Sequence, residues 1–252
     1  MDIKAIFTDL DDTLLHTDKT VSDYTRRVLG ACREKGLYLF AATARPPRAV
    51  GMFGLELDGA VCHNGGVAQI DGRTVWEYAM EPETAVRLAQ DILRILPEAT
   101  LSAETKGNLY ANFDAADYWP GCPYIPWDCA ALPDQQVEKL LAGVRSEDEW
   151  EQVRAMVPPE LTAQYSRGGL VMIQPKGVEK GKGVAAVCVE LGISLEQAVA
   201  FGDDLSDISM LEVCGTGVAV ENALPQVKLA AGFLCGSNDR DGPACWLEEH
   251  VL

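Results

Sequence analysis

The chain has 252 residues, 48% hydrophobic and 23% charged, with a formal net charge of −17. That length and composition suit a globular protein of one large domain, or a core with a second module. The acidity argues against nucleic acid and anionic membrane surfaces as partners, since both need basic docking surfaces, and an anionic substrate would need a divalent cation and one or two placed lysines to reverse the local field.

In chain order, residues 3–7 form a short apolar run of the kind that builds buried parallel strands, and it leads into Asp9-Leu10-Asp11-Asp12-Thr13. The opening residues read as strand rather than secretory leader, and no apolar run reaches membrane-span length, so a cytoplasmic protein is expected. Ser22 is placed to cap a helix that runs to about Lys35, and Gly36 to close it. Residues 37–42 read as a second buried strand ending at Thr43, and residues 60–62 as a third ending at Asn64-Gly65-Gly66. Residues 67–70 and 74–78 flank Asp71-Gly72, a two-residue hairpin signal.

Between about residues 82 and 176 the pattern changes. An amphipathic helix is predicted over 82–96, and alternating strands over 100–104 and 108–113 joined at Lys106-Gly107. A strand over 137–142 precedes a helix over 146–157 with a capping box from Ser146 to Glu149. Residues 161–166 and 170–174 form a hairpin across Arg167-Gly168-Gly169. Residues 114–133, with Trp119, Trp127 and four prolines, read as an ordered loop. This mixture of helices and hairpins indicates an α+β module inserted between two halves of a core.

The last third returns to strand–helix alternation. A helix over 182–190 is stopped by Gly192, and a strand over 198–201 ends in Gly202-Asp203. A helix over 206–213, a strand over 217–220, a helix opened by Pro225, a strand over 232–235 and a terminal helix from Gly242 complete the series. Such alternation predicts the α/β class, a parallel sheet with helices on both faces. The eight cysteines are scattered, which argues against zinc; Cys122 and Cys129 are near enough to pair, but reduced thiols suit a cytosolic protein better. His16, His63 and His250 show no triad or ligand spacing and are read as structural.

Four polar stations fall at the ends of predicted core strands: Asp9 with Asp11, Thr43, Lys180, and Asp203 with Asp207. Singly, each has an ordinary explanation: an Asp-rich turn, a helix N-cap, a solvated lysine, a capped turn. Their shared place at strand ends, where open α/β sheets collect ligands, makes coincidence a poor account. Two carboxylates one residue apart divide labour well, one attacking or binding metal and the other moving a proton. Carboxylates about 4 Å apart repel by roughly 4 kcal/mol at an effective dielectric near 20, so a divalent cation belongs among them.

With these motifs the chain resembles the haloacid dehalogenase superfamily of phosphohydrolases, and within it the Cof-type members. The resemblance runs through Asp9-Leu10-Asp11-Asp12-Thr13-Leu14, Ala42-Thr43-Ala44-Arg45, Gly177-Val178-Glu179-Lys180-Gly181, and Gly202-Asp203 through Asp207. Val218-Ala219-Val220-Glu221-Asn222-Ala223 and Asn238-Asp239-Arg240-Asp241-Gly242 also look typical of that branch. It implies a Rossmann-like core of residues 1–81 and 177–252, with an inserted α+β cap of residues 82–176 that selects the substrate. Asp9 would be the nucleophile, forming an aspartyl-phosphate, and Asp11 the general acid and then base. Mg²⁺ would be held by the Asp9 carboxylate, the Asp11 backbone carbonyl and Asp203, with Asp207 binding directly or through water. Leu10, Thr43, Ala44, Lys180, Ser206 and Asn222 would contact phosphate or support its loops.

Two positions keep a second reading: Arg45 as a cleft residue or a helix-start surface residue, and Asn222 as a support or a cap for the helix at Pro225. Three positions depart from the family pattern: Asp12 and Ala44 stand where Gly is frequent, and Ser206 where Asn is frequent. The expected activity is Mg²⁺-dependent hydrolysis of small phosphorylated metabolites by a monomer or homodimer. A phosphosugar mutase sharing the Asp pair is the alternative within the family, and a non-catalytic phosphometabolite-binding module the alternative outside it. Sugar phosphates, pyridoxal phosphate and flavin mononucleotide all remain open as substrates.

Overall fold

The computed structural model describes residues 2–133, 135–166 and 169–252. Its first elements are β1 (Ala5–Thr8), α1 (Asp23–Glu34), β2 (Tyr38–Ala42), α2 (Pro47–Val50), β3 (Gly59–Cys62), β4 (Val67–Ile70) and β5 (Arg73–Glu77). Next come α3 (Pro82–Ile95), β6 (Thr100–Thr105), β7 (Asn108–Ala111), β8 (Ile125–Pro126), β9 (Lys139–Gly143), α4 (Glu147–Met156), β10 (Leu161–Ser166) and β11 (Leu170–Pro175). The chain then continues through α5 (Lys180–Leu191), β12 (Ala198–Gly202), α6 (Ile208–Val213), β13 (Thr216–Ala219), α7 (Pro225–Ala230), β14 (Phe233–Leu234) and α8 (Gly242–His250). They fall into two compact units, Met1–Glu77 with Glu179–Leu252, and Tyr78–Val178.

The first unit is of the α/β class. Its eight strands run in the order β14-β13-β12-β1-β2-β3-β4-β5. The six from β14 to β3 are parallel, and β4 and β5 add an antiparallel hairpin at one edge. Alternate residues of the apolar strands feed two separate cores. Ile6, Leu39, Ala41, Val199 and Phe201 pack with Val28 and Leu29 of α1 and Trp246 and Leu247 of α8. On the other face Ala5, Phe7, Phe40 and Ala200 pack with Val184 and Val187 of α5, Met210 of α6 and Val227 of α7. Burial on both faces is why these strands read as continuous apolar runs. The sheet order reverses between β1 and β12, and such a switch point opens a crevice at the carboxyl ends of the two strands.

The second unit has a six-stranded sheet in the order β10-β11-β9-β6-β7-β8. Its apolar alternates, among them Leu101, Ala103, Leu140, Val171 and Ile173, pack with Ala85, Leu88 and Ile92 of α3 and Val153 of α4. The β10–β11 hairpin pairs from Leu161↔Pro175 to Ser166↔Leu170, while the predicted turn at Arg167-Gly168 lies outside the described residues. Among the described residues no helix is long and apolar enough to cross a membrane.

Several local expectations are corrected. The 114–133 segment is more than a loop: Ile125–Pro126 pairs in parallel with β7, and Trp127 is buried with its indole N–H donating to the Ala131 carbonyl at 2.8 Å. The strand expected at 137–142 runs over Lys139–Gly143, with Val137 only bridging Met80. The Ser146 hydroxyl accepts from the Glu149 N–H at 3.2 Å, but the Glu149 carboxylate reaches the Arg145 N–H at 2.6 Å rather than that of Ser146. The helix expected from residue 206 is a tight turn, Leu205–Asp207, before α6 begins. Helix α5 starts two residues earlier than its apolar pattern, at Lys180, and that shift decides how the lysine is used. All eight cysteines are free thiols, including Cys122 and Cys129.

Candidate active site

Strand β1 delivers Asp9 to the crevice. The Asp9 N–H donates to the Phe201 carbonyl of β12 at 2.9 Å, so the parallel ladder itself fixes where the side chain emerges. The following turn, Leu10–Leu14, needs Asp12 at φ 62. This left-handed position favours glycine and tolerates Asp better than most residues, which accounts for the departure at that position. The Leu10 side chain is buried in the core, so its only route to a ligand is through its main chain.

Lys180 occupies the first turn of α5, and 1% of its surface is exposed. Its ammonium donates to Asp9 Oδ1 at 2.6 Å and Asp207 Oδ1 at 2.5 Å. A lysine is buried this deeply only with anionic partners, so the solvated reading fails. The other Asp207 oxygen accepts from the Asp203 and Asp204 N–H groups, at 2.9 and 3.0 Å. Asp207 therefore anchors the lysine and shapes the loop that presents Asp203. Asp203 in turn accepts from the Thr13 hydroxyl at 2.5 Å. Oxygens of Asp9, Asp203 and Asp207 lie within 4.8 Å of one another.

The electrostatics follow from this crowding. Burial pushes the Asp9 carboxyl well above the usual carboxylate range; Lys180 opposes the rise, while Asp207 and Asp203 add to it. Burial likewise lifts Asp203 to about 6, partly offset by the Thr13 hydrogen bond. Two carboxyls raised in this way beside a third, all offering hard oxygens, suit a small divalent cation. A cation there would keep them ionised, so the donor set fits Mg²⁺. Asp9 and Asp203 are the acids that could hold it directly, since both Asp207 oxygens already accept hydrogen bonds.

Asp11 has a different environment. Burial alone would raise its carboxyl, but the Arg45 guanidinium, aided by Lys19, outweighs this and holds it below the usual range. Arg45 donates in a fork, Nε to Oδ2 at 2.7 Å and Nη2 to Oδ1 at 2.8 Å, and its guanidinium lies 4.9 Å from the centre of the Phe53 ring. Lys19 stands 3.2 Å from Asp11 and 3.0 Å from Asp12. Arg45 is thus turned onto Asp11 rather than being a free surface residue.

The remaining positions divide. Thr43 is buried at the end of β2, its hydroxyl accepting from the Arg45 N–H at 3.2 Å, with half-buried Ala44 beside it. Ser206 is half-buried on the turn that carries Asp207. Asn222 is engaged elsewhere: its amide donates to the Asp12 carbonyl at 2.7 Å and accepts from the Asn238 N–H at 3.1 Å. It ties the turn after Asp9 to the segment at Asn238, and the N-cap of α7 is Leu224 instead.

Reasoning from sequence did not single out Thr13 or Asn238, whose buried amide donates to the Leu15 carbonyl at 3.0 Å. Nor did it single out Asp241, one oxygen of which accepts from Ser22, Thr25 and His16 at 2.6, 2.8 and 3.0 Å. The only signal for Thr13 was its place in the motif of residues 9–14, and for Asn238 and Asp241 the polar run 238–242.

A family model described as haloacid dehalogenase-like hydrolase matches residues 6–247. The chain belongs to that family. Among relatives of these hydrolases, the pyridoxal phosphate phosphatase YbhA of Escherichia coli (strain K12) is 30% identical over 274 residues, covering 100% of both chains. The 5-amino-6-(5-phospho-D-ribitylamino)uracil phosphatase YcsE of Bacillus subtilis (strain 168) is 26% identical, covering 100% of this chain and 97% of that one. A crystal structure of a Thermotoga maritima protein superposes with a TM-score of 0.87 at 21% identity, over 99% of this chain and 98% of the other, and shows the same fold. This haloacid dehalogenase-like hydrolase is an enzyme of the phosphatase kind.

Proposed function

We propose that the chain is a Mg²⁺-dependent phosphatase of small phosphorylated metabolites that works through an aspartyl-phosphate on Asp9. The observation that carries this reading is the buried Lys180 ammonium bridging Asp9 and Asp207 beside Asp203, at the switch point of the sheet. Asp9 is the nucleophile. Lys180 opposes the burial that raises the Asp9 carboxyl, and a carboxylate nucleophile splits one hard displacement into two easier ones. The Lys180 ammonium and the Thr43 hydroxyl neutralise and orient the phosphoryl oxygens, the main demand in phosphoryl transfer. Bound Mg²⁺, held by Asp9, Asp203 and the Asp11 backbone carbonyl, would supply further charge neutralisation there.

Asp11 gives its proton to the departing alkoxide and takes one from the water that releases Asp9. The Arg45 fork favours the carboxylate form of Asp11, which suits the second task; the first requires the fork to loosen when substrate arrives. Full-length relatives named as phosphatases of pyridoxal phosphate and of a phosphoribitylamino-uracil support a small phosphomonoester as substrate. Tyr78–Val178 would act as the specificity module, in a cytoplasmic monomer or homodimer.

Release of inorganic phosphate from p-nitrophenyl phosphate, with and without Mg²⁺, tests the reading. Wild type is expected to turn over only with the metal, and Asp9→Asn to lose turnover by at least about a thousandfold. Equal slow rates for wild type and Asp9→Asn would overturn it.

A further inference from the structure

The turn after β3 has a strained backbone that the chemistry above does not use. His63, Asn64 and Gly65 have φ of 52, 57 and 102 in succession. Two adjacent non-glycine residues in the left-handed region persist only where their surroundings over-determine them. Here three neighbours do so. The His63 N–H donates to the Arg45 carbonyl at 3.1 Å, and the Asn64 N–H to the Thr43 carbonyl at 3.0 Å. The Trp76 indole N–H donates to the Gly65 carbonyl at 2.9 Å. Gly65 also lies directly against the start of α5: a Cβ added there would sit 2.0 Å from the Glu179 carbonyl oxygen and 2.9 Å from the Lys180 nitrogen.

These contacts have a common geography. Trp76 lies one residue before Glu77, the last residue of the first segment, and Glu179 is the residue on which the chain returns from Tyr78–Val178. One three-residue turn therefore touches both linker segments and the backbone of both Thr43 and Lys180. The contact at Glu179 is backbone on backbone, with no side chain to absorb a shift by changing rotamer. Displacement passes through close-packed contacts of that kind rather than dissipating.

We propose that His63–Gly65 is a positioning element, coupling the linker segments at Trp76 and Glu179 to the phosphate-binding groups Thr43 and Lys180. This rests on the phosphatase reading, which assigns phosphate to those two groups. The turn acts through them and touches no reacting atom itself.

The test uses the full chain, p-nitrophenyl phosphate as substrate and inorganic phosphate as competitive inhibitor, with the thermal midpoint measured alongside. Trp76→Phe keeps an aromatic ring and removes the five-membered ring with its N–H; it is expected to raise the phosphate inhibition constant about three- to tenfold, the loss expected from one hydrogen bond. Asn64→Gly relieves the strain and keeps both backbone bonds, so it is expected to raise the midpoint while weakening phosphate inhibition. A scaffold role alone does not produce those opposite signs. If both variants keep the wild-type inhibition constant and kcat while only their midpoints move, the proposal is overturned. A wild type that releases no phosphate and does not bind it would overturn the phosphatase reading, and this proposal with it.

Discussion

Replacing Lys180 with Met keeps most of the side-chain volume and deletes the charge that two carboxylates share. In the structure that ammonium lies 2.6 Å from Asp9 and 2.5 Å from Asp207, with an Asp203 oxygen within 4.8 Å of both acids. Removing one partner from a buried ion pair costs about 3–5 kcal/mol, and each exposed carboxylate–carboxylate repulsion at this spacing adds roughly 3 kcal/mol at an effective dielectric near 20. Protonation of Asp9 relieves part of that, so a net loss of about 3 kcal/mol near neutral pH is expected, or roughly 6–12 °C in thermal midpoint for a chain of this size. The sign with pH is diagnostic. Asp9 and Asp203 already have folded-state pKa values raised above their ordinary 3.8. Groups raised in this way stabilise the fold when protonated and cost stability as pH climbs through the folded value. Losing Lys180 raises them further, so the deficit of the variant should be small near about pH 5 and large near about pH 8. Thermal melts without divalent ions at the two pH values, repeated with Mg²⁺, measure it. A deficit equal at both values, or larger in acid, would refute the charge argument.

Other outcomes follow from the same geometry. Millimolar Mg²⁺ should raise the wild-type midpoint, and Asp203→Asn should abolish most of that gain; a midpoint insensitive to Mg²⁺ would count against the metal site. Without metal, wild-type stability should fall as pH rises from 3.8 through about 6, the window set by Asp203, and added Mg²⁺ should flatten that fall in denaturant titrations. Arg45→Ala removes the fork from Asp11, so the limb of the kcat/KM profile that reports Asp11 should move to higher pH, whereas an unmoved limb would show that the fork does not govern that acid. Asp12→Gly should be more stable than Asp12→Ala by about 1 kcal/mol, because φ is 62 there, as a comparison of urea midpoints would show.

Much of the core was legible because its signals are local. Ser22 accepts from the Thr25 N–H at 3.0 Å, and Gly36 takes φ 85 past the end of α1, as their identities suggest. The apolar runs of β1, β2 and β12 announce strands buried on both faces, and short loops at their ends leave Asp9, Thr43 and Asp203 little choice of place. What stayed hidden depends on partners distant in sequence. By pattern alone Lys180 and Lys182 look alike in Glu179-Lys180-Gly181-Lys182; the family motif picked out Lys180, and the early start of α5 is what buries it. The Arg45 fork depends on the path of a loop 34 residues from Asp11, and the Asn238 bond to Leu15 spans 223 residues. Strand β8 is two residues long with a proline, too short for any periodicity to show.

The place of β1 in the sheet bears on how the protein matures. Its neighbours are β2, available early in synthesis, and β12, which begins at Ala198. Until the ribosome has delivered that segment, one side of this fully buried strand has no hydrogen-bonding mate. A nascent chain halted before it would expose a bare edge inviting self-association, and would lack Asp203 and Asp207, the acids that gather beside Asp9 in the finished fold. Closure of that edge and assembly of the acid cluster around Asp9 thus both wait on the segment from Ala198 to Asp207.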